Sequence, residues 1–314
     1  MNRRHALIAY ILVVCSLVVV LVARAAEAYK GDWTMRRADE AGKVEFALIT
    51  HHHGGSSHHE SDWPVSAFQG LDVSKAGKQE VEFTIARDAG RFDCQGYLED
   101  GEGAGLFQFS PDANYAAQMK SLGFNDIDAD KQFTMAVMDV SVEFAKQMKA
   151  EHLDGLDTDK LIAFKIFGVT PEFIESLRKE GLKIAEADKL IAFRIHGVSP
   201  EMVRYLRQAG YQPDEEMLIA MRIHGATQEW IEQLRKEGYD HVDLRKLIAF
   251  RVHGVSPEFI GKLRDLGYQH PDPDQLVAMR IHGVTPEYIS DLRSRGMNNL
   301  TVEQLVGLRI HGIN

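Results

Sequence analysis

The sequence predicts an α+β chain in which a small antiparallel β-sheet is followed by an α-solenoid of helix-pair repeats. Two observations carry this. Gly168, Gly197, Gly225, Gly254, Gly283 and Gly312 recur at spacings of 29, 28, 29, 29 and 29 residues, and a fixed period of this length marks stacked supersecondary units. Between Lys30 and Ser110 the hydrophobic period is two, the mark of half-buried strands. The chain is 45% hydrophobic and 26% charged, enough apolar material for a packed core. Three segments are expected: residues 1–28 as a signal peptide or membrane anchor, 29–110 as the antiparallel β region, and 111–314 as the helical solenoid.

The chain opens with the basic Met1-Asn2-Arg3-Arg4-His5, followed by an uncharged, mostly apolar run from Ala6 to Ala23. That order of segments is the order of an export signal. Ala23-Arg24-Ala25 and Ala26-Glu27-Ala28 both fit small-x-small cleavage sites, while residues 6–23 also suffice to begin an uncleaved inner-membrane anchor. An exported, periplasmic or extracellular protein is expected, with membrane contact only through this segment. Removing residues 1–28 takes away Arg3, Arg4, Arg24 and Glu27, so the net charge of −10 becomes about −12. An acidic surface of this kind disfavours nucleic acid. Cys15 lies in the apolar run and leaves Cys94 without an intrachain partner.

In the β region Val44, Phe46 and Leu48 alternate with polar or small residues, as do Val81, Phe83 and Ile85, then Phe92 and Cys94, then Phe107 and Phe109. Asp88-Ala89-Gly90 and Asp100-Gly101 supply turns, making residues 80–110 a three-stranded meander. The glycines of Gly101-Glu102-Gly103-Ala104-Gly105 read as turn residues, because no helix follows to turn them into a phosphate loop. Trp33 and Trp63 are expected in the core or an interface. The stretch from His51 to Asp62 reads as a flexible polar hairpin loop. Its His51, His52, His53, His58 and His59 are also the candidate ligands of a divalent transition metal. No other cofactor is expected.

From residue 111 the pattern is helical. Asp128, Asp157, Glu186, Asp214, Asp243, Asp272 and Thr301 form an N-cap column for the first helix of each unit, with Pro273 at N1 of one helix and a Thr301…Gln304 capping box. Each first helix stops at the recurring glycine, with cations in its last turn. The second helix starts at once with Ser141, Thr170, Ser199, Thr227, Ser256 or Thr285 as N-cap, often proline at N1, and glutamate at N2. Around Met138-Asp139 the histidine and glycine are replaced, so that unit reads as a degenerate cap.

Stacking aligns Arg194, Arg222, Arg251 and Arg280 into one column and His196, His224, His253 and His282 into another. These are the interaction candidates. A periodic cationic strip suits an extended acidic partner, an anionic glycan or a metal. The structural alternative has each arginine capping a helix end or pairing with a repeated glutamate, and each histidine hydrogen-bonding its neighbour at the C-cap; identical residues at identical sites favour this second reading.

The pattern Arg-Ile-His-Gly-Val-Ser/Thr-Pro-Glu-Phe-Ile-x-x-Leu-Arg-x-x-Gly-Tyr over residues 111–314 resembles tandem repeats of uncharacterised bacterial envelope proteins. It is also similar to the C-terminal repeat regions of some membrane metallopeptidases of the BlaR/MecR antibiotic-sensor group. Ala89-Gly90-Arg91-Phe92 and Gly103-Ala104-Gly105-Leu106-Phe107 resemble the segment that accompanies such repeats. This chain lacks His-Glu-x-x-His and a multi-pass membrane region, so peptidase activity is not implied. The expectation is a non-catalytic envelope protein whose solenoid is an interaction scaffold for a protein or peptide, with a sensor-accessory role as one form of it; metal binding by the His51–His59 stretch is the alternative, and a hydrolase is disfavoured because no catalytic constellation can be assigned.

Overall fold

The computed structural model describes residues 29–52 and 55–313. Residues 1–28, on which the signal-peptide or anchor expectation and Cys15 fall, and His53 lie outside the described residues. A six-stranded antiparallel sheet is built from β1 (Lys30–Arg37), β2 (Lys43–His52), β3 (Gly55–Pro64), β4 (Lys78–Arg87), β5 (Gly90–Glu99) and β6 (Glu102–Pro111). Its order is β3-β2-β1-β6-β5-β4, so two meanders are joined where β1 pairs with β6. Asp100 and Gly101 link β5 to β6 with φ of 53° and 86°, the doubly positive turn that matches strand twist.

Two expectations for this region are corrected. The segment from His51 to Asp62 is not a loop: β2 runs to His52, β3 starts at Gly55, and the two pair throughout. Sequence alternation missed β3 because it is an edge strand, polar on both faces except at Trp63. Gly103 and Gly105 likewise lie inside β6 and not in a turn. Gly105 faces Gly96 on one side and Trp33 on the other, and the missing side chains let the Trp33 indole lie against the sheet. Its Nε1 donates to the Gln95 carbonyl at 3.1 Å. Trp33 reaches Phe83 with ring centroids 5.1 Å apart, and both pack with Phe46 and Phe68 in one aromatic core. Trp33 and Trp63 are both buried.

Among the described residues fourteen α-helices follow the sheet in series. After α1 (Tyr115–Ser121), the first helices of the units are α2 (Ala129–Val137), α4 (Thr158–Phe167), α6 (Ala187–His196), α8 (Glu215–His224), α10 (Leu244–His253), α12 (Pro273–Ile281) and α14 (Val302–Ile310). The second helices are α3 (Val142–Ala150), α5 (Pro171–Lys179), α7 (Pro200–Gln208), α9 (Gln228–Lys236), α11 (Pro257–Asp265) and α13 (Pro286–Ser294). The described residues form two compact units, divided between Ile166 and Phe167. In the first, helices pack on the sheet: the buried Gln132 amide donates to the Ala89 and Asp112 carbonyls at 2.8 and 2.7 Å. Asp88 accepts the Val142 N–H at 2.9 Å. Asp139, at the position of the repeat glycine, takes φ of 53° and pairs with Arg87 at 3.4 Å. The second unit packs first helix on first helix from α6 to α14, and α5 on α7, α9 on α11 and α11 on α13.

The caps follow the residue types. Thr170, Ser199, Thr227, Ser256 and Thr285 accept the N–H three residues on. Asp214 and Thr301 do the same for first helices, and Asp272 joins Thr301 in a full capping box with Gln275. Within the repeat units Glu186 makes no side-chain cap bond; its extra methylene carries the carboxylate past the N–H groups an aspartate reaches. Gly197 ends α6 at φ of 71°, a left-handed conformation that side chains resist.

The N2 carboxylates of Glu172, Glu201, Glu229 and Glu287 accept their own backbone N–H and the cap hydroxyl, which holds them below the ordinary glutamate value of 4.5. A carboxylate depressed in the folded state stabilises the fold above its unfolded value, and that contribution is lost as pH falls through the lowered folded value. Carboxyl-detected NMR titration of these four should give midpoints below 4.5, and the urea midpoint should decline on acidification through that window.

A second expectation concerns glycine. A Cβ on Gly105 would press into the Gln95 carbonyl and sit 2.7 Å from the Trp33 indole, whereas one on Gly307, inside α14, would meet nothing within 4 Å. Gly105→Ala should therefore lower unfolding free energy by about 1–3 kcal/mol. Gly307→Ala should raise it by about 0.5–1 kcal/mol. Urea unfolding followed by circular dichroism measures both.

Candidate interaction surface

From α4 to α14 each first helix carries Leu-Ile-Ala-Phe-Arg-Ile-His or a close variant. At 3.6 residues per turn the Leu and Phe positions share one side, and the second Ile position falls opposite them. Leu190, Phe193, Leu247 and Phe250 are accordingly fully buried. The opposite side is apolar too. Ile166, Ile195, Ile223, Val252, Ile281 and Ile310 are each 51–58% exposed, and the half-buried Ile191, Ala192, Ile219, Ala220, Ile248 and Ala249 lie beside them. A helix apolar all round is ordinarily enclosed by protein; here one side is open. In the second unit Ile195, Ile223, Val252, Ile281 and Ile310 stand on five consecutively packed helices and make a belt with one rung per repeat. In the first unit Ile162, Ala163 and Ile166 line a 470 Å³ groove with Asp128, Asp130, Lys131 and Asp159.

The arginine column serves the array itself. Arg194 Nε donates to the Phe167 carbonyl at 2.9 Å, Arg222 to His196 at 3.1 Å, Arg251 to His224 at 2.9 Å and Arg280 to His253 at 3.3 Å. Each arginine thus caps the C-terminal end of the first helix in the preceding unit. The guanidinium also lies over a ring of the second helix between them: Arg194 over Phe173 at 4.8 Å, Arg251 over Trp230 at 5.2 Å, Arg280 over Phe259 at 5.1 Å and Arg309 over Tyr288 at 4.6 Å. Cation–π contact adds to the cap and helps hold the fork in one plane. The glycine beside each tied carbonyl leaves room for it; a Cβ on Gly197 or Gly254 would lie 2.9 or 2.8 Å from the incoming Arg222 or Arg280 guanidinium.

The histidine column is used differently from the sequence expectation. The backbone carbonyls of His196, His224 and His253 accept the arginine bonds, whereas the side chains of His224, His253 and His282 are exposed beside the apolar belt. Along the opposite, N-terminal ends of the first helices, Lys189 pairs with Glu216 and Lys246 with Asp274 of the next unit. In these pairs the carboxylates are 70% and 79% exposed and the lysines 23% and 29%, so the acid is the group presented outward.

Of the histidine-rich stretch, the described side chains of His51, His58 and His59 do not converge on one point. His58 opposes Ile49 and His59 opposes Leu48 in the β2–β3 register, and neighbouring strand residues point to opposite faces. His51 and His58 share a face but have separate carboxylate partners, Asp32 at 2.6 Å and Glu60 at 3.1 Å. His59 lies on the other face, where burial lowers its imidazole below the ordinary value. His52 stands opposite Gly55. Among the described residues no group of three metal-ligating side chains assembles.

Sequence reasoning missed the open aliphatic belt. Its signal was present: the first helices lack the polar stripe that the second helices carry. Arg251→Ala should cost about 1–2 kcal/mol in urea unfolding, the loss of a carbonyl cap and a ring contact. Arg251→Lys should recover no more than half, since an ammonium lacks the planar fork. His253→Ala should change stability by less than about 0.5 kcal/mol. Comparison of the chain with family models, with curated proteins and with solved structures found no match.

Proposed function

We propose that this is a non-catalytic, exported envelope protein whose helical array is a scaffold for a protein or peptide partner. The belt of Ile195, Ile223, Val252, Ile281 and Ile310 carries the proposal. Contiguous exposed apolar surface is costly in water and concentrates where another surface covers it, and here it recurs at one site in successive units. The exposed imidazoles and outward carboxylates along its two margins supply the polar rim that interaction surfaces commonly carry. Export rests on the basic start and apolar run of residues 1–23, and the resemblance to envelope repeat proteins supports the same setting. The apolar run of residues 6–23 is the segment we assign to membrane contact; among the described residues no helix is long and apolar enough to cross a membrane. The acidic charge argues against a nucleic-acid partner.

Photo-crosslinking in intact cells tests the reading. A photoreactive amino acid in place of Ile223 should give a discrete protein adduct, and the same group in place of Lys236, an exposed position on second helix α9, should not. Equal labelling from both positions, or none from position 223, overturns the proposal.

A further inference from the structure

Resting on the reading of the belt as an interface, we infer that its occupant is an extended, basic peptide segment with an aliphatic residue at every third position. The spacing of the rungs selects the conformation. The first helices that bear Ile195, Ile223, Val252, Ile281 and Ile310 pack directly on one another, and packed helices lie about 8–10 Å apart. A polyproline II segment advances about 9.3 Å in three residues and returns every third side chain to the same side. It therefore sets one side chain on each rung without losing register. A β-strand returns to the same face after about 6.7 Å and falls between rungs. A helix placing one residue per heptad on the belt advances about 10.5 Å, and the mismatch accumulates along the rungs.

Charge selects the sign of the intervening residues. The carboxylates of Glu216 and Asp274 project along one margin, each neutralised from the less exposed side by a lysine of the preceding unit. On the other margin the arginine forks are already engaged with helix carbonyls. The chain as a whole carries −10, which steers a basic segment toward it. Lysine or arginine between the aliphatic positions can face the carboxylate margin while the aliphatic side chains cover the belt.

The probe is a labelled fifteen-residue peptide, five repeats of Ile-Lys-Pro, titrated against the full chain by fluorescence anisotropy. Proline fixes φ near the required value and biases the lysine before it toward extended backbone. The comparison peptide has the same composition with its isoleucines gathered at one end, and a third peptide carries glutamate for lysine. The regular basic peptide should bind at least tenfold more tightly than either, and raised salt should weaken it. Because both side chains are exposed, the double variant Ile223→Asp/Val252→Asp should keep its circular dichroism spectrum while losing at least tenfold in affinity. Equal binding of the regular and gathered peptides, tighter binding of the glutamate peptide, or affinity unaffected by the double variant overturns the inference. Sedimentation showing that the chain self-associates through Ile223 also overturns it, because the occupant would then be a second copy. If the peptide fails while position 223 still crosslinks a protein in cells, the interface stands and only this occupant falls; if both fail, both readings fall.

Discussion

A helix ends with carbonyls that have no partner of their own, and the repeat disposes of this problem by passing it to the next unit. From α6 to α12 an arginine of each first helix reaches back to the terminal carbonyl region of the one before, with an aromatic ring of the intervening helix beneath it in three of the four. The tie joins three elements at once: the helix that is capped, the helix that supplies the cap, and the second helix that steadies it. The buried Leu and Phe positions supply apolar packing, but apolar contact alone is non-directional. The arginine tie adds direction and register, and it holds neighbouring first helices close enough for their outer aliphatic residues to form a single surface.

The sheet meets a comparable demand with aromatic mass. Trp33 spans the space over Gly96 and Gly105, and its single polar atom is satisfied by the Gln95 carbonyl. The first helical units extend from this sheet through ordinary side-chain and backbone hydrogen bonds. Asp139 marks the transition, since it occupies a glycine's conformation and compensates with ion pairs to Arg87 at 3.4 Å and Lys165 at 3.9 Å.

Local chemistry was the legible part of the sequence. Ser199, Thr227 and Ser256 cap where they were expected, Asp100-Gly101 turns where it was expected, and Gly197 takes the left-handed conformation its place at a helix end requires. Each of these depends on residues within a few positions. Features set by distant neighbours were less legible. The composition of β3 does not announce a strand, because an edge strand needs backbone partners more than an apolar face. Nor does the sequence say that Arg251 reaches the His224 carbonyl and not a glutamate, since that bond spans 27 residues. Histidine repetition suggested an imidazole with a structural task, yet the structure uses the carbonyl of that residue and leaves the ring outside. The aliphatic belt was hidden for a related reason: an isoleucine in a helix suggests core until packing shows which side remains open.

One unit is a residue shorter than the rest, with Gly197 and Gly225 only 28 positions apart. The missing residue falls in the connection between Gly210 and Asp214, where the other complete connections are longer by one. The tie across that unit nevertheless closes at 3.1 Å over 26 residues, beside 2.9 Å over 27 in the next. Register is therefore kept by the bond in space and not by counting along the chain. The connections act as slack, free to vary while the ties hold pitch. An array built this way can gain or lose whole periods during evolution and change only its reach, keeping the same chemical face on every rung.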